Sequence, residues 1–242
     1  VRSRSLEEWC LPLEKHHDHS SATNPAAKVT IKKGESWGEP GVLEESGLVV
    51  STDYELAELL QGYRMREQVP PVIAVLGGAL HRTLGSPQRD VAALRSGQGY
   101  VFPLDVGILQ FFDSEGTQRE VLFVAHCQAS TDPRMRLWKG RTVLAMNASF
   151  MGTLNLGPRA HPNDGRLDVT EGQLKWAERK QARSRAVTGA HLPHPSLHER
   201  RVSSRMQFSS GSMFDLSTDG RLQGKSAEFS ITCIPDAARI LV

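Results

Sequence analysis

The amino-acid sequence predicts a chain of class α/β plus β, with a short α/β segment preceding a larger antiparallel β segment. Three observations carry that reading. Between Gly47 and Gly78 a β-branched apolar run, an amphipathic stretch and a second apolar run follow one another, the order of a β-α-β unit. After Arg95 the apolar residues fall into short runs separated by Gly, Pro, Asp or Asn, as antiparallel strands do. Only "EGQLKWAERKQARSR" interrupts them with the composition of a helix.

Residues 1–27 read as a poorly ordered arm. Apart from Trp9 and Leu11 they are largely polar, and "HHDHSSATNPAA" holds Asn, Pro and Ser that discourage a continuous element. His16, His17, Asp18 and His19 are metal-ligand types, but no second cluster at a fitting spacing closes a site around them. Residues 28–95 make the reduced α/β segment. There "SGLVVS" reads as a buried strand, and Leu56, Leu59, Leu60 and Tyr63 recur at helical spacing behind Asp53 in the N-cap place. "PPVIAVLGG" reads as a strand stopped by Gly77 and Gly78, and Trp37 in "ESWGEPG" as a packed anchor. Residues 96–242 make the β-rich segment, with Ala227, Phe229, Ile231 and Cys233 alternating toward a core.

Composition excludes several classes. With 29 basic and 27 acidic side chains in 242 residues the formal net charge is +2, so no whole-molecule field draws the chain to nucleic acid or to a membrane. Any such affinity is local. The strongest local concentration is Lys175 to Arg205, eight Lys or Arg against Glu178 and Glu199. It reads either as a solvated face or as a surface for the phosphates of a nucleotide or lipid headgroup. Cys10, Cys127 and Cys233 lie far apart without a C-x-x-C pair, which argues against a disulfide framework or zinc cage and fits a cytoplasmic setting. No apolar run approaches the ~18 residues of a membrane span, and the first twenty residues are charged where a secretory signal is apolar. His191, His194 and His198 imitate a helical ligand spacing, but Pro193 and Pro195 break any helix there, leaving a structural or pocket-lining role.

The most distinctive segment is "NASFMGTLNLGPRAHPNDGRLDV", Asn147 to Val169. It resembles the signature of the diacylglycerol kinase and sphingosine kinase superfamily, N-G-x-x-x-G-G-G-x-x-x-x-P-x-A-x-x-D-D-G-x-L-D. With one residue deleted before the proline, Asn147, Gly152, Pro158, Ala160, Asp164, Gly165, Leu167 and Asp168 match, while Ala148, Thr153, Leu154 and Asn163 depart. "TGAHLPHPSL" and "FSITCIPDAARILV" are similar to later family stretches, and "STDGR" is similar to its D-G-E turn with Arg221 in place of the acid. Upstream, "PLDVG" matches the family's i-D-v-G. "IAVLGGALHRTLGSP" resembles the second nucleotide loop, keeping Arg82, Leu84 and Gly85 but showing Leu76, Gly78 and Ala79 where the family has Thr, Asn and Asp. "LVVSTDYELAELL" stands in the place of the phosphate loop v-v-G-G-D-G-T, keeping Asp53 and replacing glycines with Ser51, Thr52 and Tyr54.

The resemblance implies a reduced nucleotide-binding-type α/β domain, a following antiparallel β-sandwich-like domain and a cleft between them. It implies ATP-dependent phosphorylation of a lipid hydroxyl, with ATP and Mg2+ as cofactors and a lipid or other small hydroxyl compound as acceptor. Asp164 would be the general base and Asp219 a second catalytic candidate, while Asp53, Gly77, Gly78 and Arg82 would face the nucleotide. The recognisable pattern begins only near Val49, without the family's earlier β-α units. A triphosphate is held by backbone N–H groups at close approach, which needs residues without Cβ, and Tyr54 is expected to put a ring where phosphates would lie. Arg221 is expected to hold Asp219 ionised and weakly basic. A second class therefore stands beside the kinase: a non-catalytic, pseudokinase-like module binding a lipid, a nucleotide or a protein. Peripheral membrane contact and pairing with a second copy through a sheet edge fit either class; no specific nucleic-acid partner is indicated.

Overall fold

A computed structural model of the chain describes residues 37–242; the expectations for the His-rich arm lie outside the described residues. In chain order these residues form β1 (Glu39–Gly41), β2 (Val49–Val50), α1 (Asp53–Met65), β3 (Ile73–Val75), α2 (Gly78–Thr83), α3 (Val91–Arg95), β4 (Gly99–Phe112), β5 (Gln118–Phe123), β6 (His126–Ser130) and β7 (Thr142–Met146). There follow β8 (Phe150–Met151), β9 (Leu154–Asn155), β10 (Leu167–Gly172), α4 (Trp176–Arg185), β11 (Leu197–Val202), β12 (Met206–Thr218) and β13 (Arg221–Leu241).

The expected β-α-β unit is present: β2 and β3 pair in parallel, joined by α1. Helix α1 starts one residue earlier than the sequence suggested. Thr52 is the N-cap, its hydroxyl accepting the Glu55 N–H at 3.2 Å. The Glu55 carboxylate accepts the N–H groups of Ser51 and Thr52 in return, a reciprocal capping box. Asp53 is thereby the first helical residue, and its side chain is free to turn inward. Leu56, Ala57 and Leu60 bury the inner face of the helix.

Eleven strands share one sheet, ordered β1-β4-β13-β12-β6-β7-β10-β11, with β5 on β4 and β3 on β13; β8 and β9 form a separate hairpin. The spine is the antiparallel pair β4 and β13, in register from Phe111 opposite Phe229 to Val101 opposite Leu241. The register shifts once, between Ile234 and Ala238. Beyond this bulge β13 also pairs in parallel with β3, Ile240 against Ile73. A single strand therefore belongs to both the α/β and the β-rich parts.

Alternation explains the burial. On β7, Val143 and Ala145 join one core while Leu144 and Met146 join another on the opposite face, so both faces are covered and the strand is apolar throughout. The first of these cores collects side chains from β4 through β11 around Phe208, Phe214 and Phe229. Phe208 and Phe229 stack at 5.0 Å and Phe214 meets Phe229 edge-on at 5.3 Å, the geometry aromatic quadrupoles favour. Cys127 and Cys233 are free and buried in the same core. Trp37 packs on Phe102 and His161 at 4.5 and 4.7 Å, as an anchor.

Close packing along the spine yields a direct test. A Cβ on Gly107 would overlap the ring of Phe123, which is fully buried. Gly107→Ala is expected to lower the unfolding free energy by about 1–3 kcal/mol through overpacking, read as a lower urea midpoint at unchanged m-value.

Candidate functional site

The polar residues that drew attention in the sequence fall into two groups in space. The first surrounds Asp53. Its carboxylate accepts the N–H of Ala79 at 2.5 Å and of Leu80 at 3.0 Å, the first amides of α2. Burial pushes the Asp53 carboxyl up from its ordinary value, and those two N–H groups pull it back. The glycines that precede these amides are required by this contact. Gly78 has φ +93°, and a Cβ there would strike the Asp53 carboxylate; a Cβ on Gly77 would strike the carbonyl of Ser51. The loops before α1 and α2 thus close on each other.

The expectation for Tyr54 is corrected accordingly. Its ring lies under the Arg221 guanidinium, 4.9 Å from the centroid, and its hydroxyl donates to Glu58 at 2.7 Å. The buried Asp53 carboxylate fills the space between the loops. Arg221, drawn toward Tyr54, is not the partner of Asp219.

Asp219 sits at the turn between β12 and β13 with φ 47°. Its carboxylate accepts three backbone N–H groups, from Val124, Ala125 and His126, each at 2.9 Å. Burial outweighs these bonds and pushes the carboxyl up to about 6, the opposite direction from the one expected of an arginine neighbour. His126 stands within electrostatic reach of Asp53. Its ring is buried with Nδ1 lacking a hydrogen-bond partner among the described residues, and burial lowers its imidazole to about 4. Arg82 faces elsewhere: it donates to the Gly152 carbonyl at 2.7 Å and lies over the Phe150 ring at 4.1 Å, fastening α2 to the β8-β9 hairpin.

The second group surrounds Asp105, the acid of "PLDVG". Asp105 is fully buried. Its carboxylate accepts Gly165 N–H at 2.6 Å, Asp236 N–H at 2.9 Å and Asn163 Nδ2 at 3.3 Å. Its own N–H donates to the Pro162 carbonyl and its carbonyl accepts Asn147 Nδ2. Asp164, the residue after Asn163, turns instead to Arg201, which bridges it to Asp168; Asp168 and Arg201 are direct neighbours across β10 and β11. No hydrogen bond or ion pair among the described residues joins Asp164 to Asp53 or Asp219.

The remaining candidates resolve simply. His191 is buried beside Trp138 at 5.5 Å between ring centres, His194 is half-buried and His198 is exposed. Burial lowers the His191 imidazole to about 4. Among the described residues no group of three or more His, Cys, Asp or Glu is placed to hold a metal ion, and no helix is long and apolar enough to cross a membrane. A cavity of about 370 Å³ lies elsewhere, walled by Leu60, Arg64, Val106, Leu122, Ile234 and Ala237.

Comparison with known proteins agrees at the level of the fold. Over 79% of this chain and 76% of the other, the structure matches that of a "putative diacylglycerol kinase" from Bacillus anthracis str. Sterne, with TM-score 0.59 and 14% identity. A further structure from that organism, described as a diacylglycerol kinase, matches over 70% of this chain and 66% of its own at TM-score 0.50 and 13% identity. The chain has a diacylglycerol-kinase-like fold. No family model matches it, and no curated protein matches it in sequence.

Three buried groups set an expected pH dependence. An unfolded imidazole takes a proton near 6.5, whereas His126 and His191 resist it to about 4. Their contribution is present above the unfolded value and is lost as pH falls through this window, about 3 kcal/mol for each. Asp219, raised to about 6, works the other way: its contribution is full at low pH and is lost as pH rises from about 4 to 6. In urea titrations from pH 7 down to pH 4, stability should therefore fall less in His191→Phe than in the unsubstituted chain, and fall more in Asp219→Asn.

Proposed function

We propose that this chain keeps the diacylglycerol-kinase-like fold as a non-catalytic binding module. The observation that carries this reading is the Asp53 carboxylate on the N–H groups of Ala79 and Leu80. A phosphate cradle works by offering unpaired backbone N–H groups to an anion. Here a side chain of the protein has taken two such donors, and Gly77 and Gly78 are pressed against Ser51 and Asp53. ATP with Mg2+ does not fit the residues present. Asp164 is likewise committed to Arg201. The 370 Å³ cavity, with mostly aliphatic walls, suits an apolar or lipid-like ligand better than a nucleotide.

The competing reading, an ATP-dependent lipid kinase, keeps one observation in its favour. Asp219, with a carboxyl near 6 and within electrostatic reach of Asp53, has the protonation range of a general base.

Thermal unfolding with millimolar Mg-ATP separates the two. A ligand at about 100 times its Kd adds about 2.7 kcal/mol, which in a chain of this size is a rise of roughly 5–10 °C in Tm. No shift is expected, and no transfer of labelled γ-phosphate to diacylglycerol in mixed micelles. A shift that Asp53→Ala abolishes, with the variant's circular dichroism unchanged, would establish the kinase reading instead.

A further inference from the structure

Helix α4 carries charge that the rest of the molecule leaves uncompensated. Arg64, Arg136, Arg141, Arg159, Arg201 and Arg239 each pair with a carboxylate. Lys175, Arg179, Lys180, Arg183 and Arg185, on α4 and at its start, form no ion pair among the described residues. The one acid in this stretch, Glu178, is occupied in accepting the Lys175 N–H at 3.0 Å. In a chain whose formal charge is only +2, this is a local concentration.

The apolar residues of the helix divide in the same way. Ala182 and Ala186 face the core. At 100° per residue Trp176, Lys180, Arg183 and, just past the helix end, Val187 line up in one stripe, about 110° around the helix from Ala182 and Ala186. Trp176 is 70% exposed and Val187 56% exposed, and the Lys180 ammonium lies 5.9 Å from the indole. One solvent-facing stripe therefore presents an aromatic ring, two cations and an aliphatic side chain. The helix dipole accounts for cations near the C-terminus, Arg183 and Arg185. It does not account for an exposed indole at the other end.

We propose that this stripe docks α4 flat on a bilayer rich in anionic headgroups. Lys180 and Arg183 supply attraction to the negative surface, worth about fivefold in affinity for each. Trp176 and Val187 reach below the headgroups, an indole suiting the boundary between water and acyl chains. Nucleic acid would use the cations and stack on the indole, but would give Val187 no role. The inference deepens the binding-module reading and rests on it only for the choice of lipid as ligand class. Its test involves no nucleotide, so either reading can fail alone.

The test is co-sedimentation of the full chain with phosphatidylcholine vesicles, with and without phosphatidylglycerol, at low and high salt. Binding is expected only with the anionic lipid, weakening as salt rises. Lys180→Gln with Arg183→Gln should reduce it roughly 25-fold, and Trp176→Ala should weaken it further. All three side chains point into solvent, so an unchanged melting temperature is expected for each variant. On adding anionic vesicles the tryptophan emission should shift to the blue, and Trp176→Phe should remove that shift. Equal binding to both vesicle types, no binding to either, or anionic binding untouched by these substitutions would overturn the proposal. Binding to a duplex oligonucleotide without vesicle binding would assign the stripe to nucleic acid instead.

Discussion

The fold turns on a buried carboxylate, Asp105, at the middle of β4. Removing a carboxylate from water costs several kcal/mol unless donors replace its hydration. Here Gly165, Asp236 and Asn163 supply them. Each donor fixes a different feature. The Asp236 amide, with φ 50° at that residue, is the crest of the β13 bulge, and Gly165, at φ 70°, closes the turn before β10. Asn147 ties the same point to the Val124 carbonyl at the β5-β6 corner. Loop, bulge and corner are thereby set by one side chain whose charge cannot be left unpaired.

The motifs that persist and those that have eroded can be told apart by what they bond to. Asn147, Gly165, Asp168 and Asp219 all bond within the β-rich part, to backbone or to an ion-pair partner. They are needed whether or not a phosphate is ever bound. The loops before α1 and α2 satisfy each other, through Asp53.

Much of this architecture was readable in advance. The short apolar runs after Arg95 anticipate β4, β7, β10, β12 and β13, with clean alternation from Ala227 to Cys233, and the helical spacing behind Asp53 anticipates α1. These are long or strongly patterned elements, where side-chain period decides conformation. The short pieces β8, β9, α2 and α3 were not legible, because two to six residues carry too little pattern to show a period. The single apolar run "REVLFVAHCQ" is broken between β5 and β6 at Val124 and Ala125, whose amides Asp219 captures from nearly a hundred residues away. Site chemistry was harder still. Sequence adjacency suggested Arg221 for Asp219 and a blocking role for Tyr54; in three dimensions Arg221 and Tyr54 find each other. Asp105 gave no signal beyond an acid inside an apolar run, and that is the pattern of a buried ion held by distant backbone.

Strand β13 has a further consequence, for how the chain is made. It contributes Ala238 and Ile240 to the core beneath α1, and Phe229, Ile231 and Cys233 to the aromatic core. Among the described residues it is also the last strand in chain order. During synthesis β3 must wait for a partner at the far end of the chain, Ile73 for Ile240, so neither core can close in order from the N-terminus. Such non-local pairing slows folding and leaves strand edges exposed for its duration. Until β13 is made, the edge that β3 presents to Ile240 has no strand to pair with.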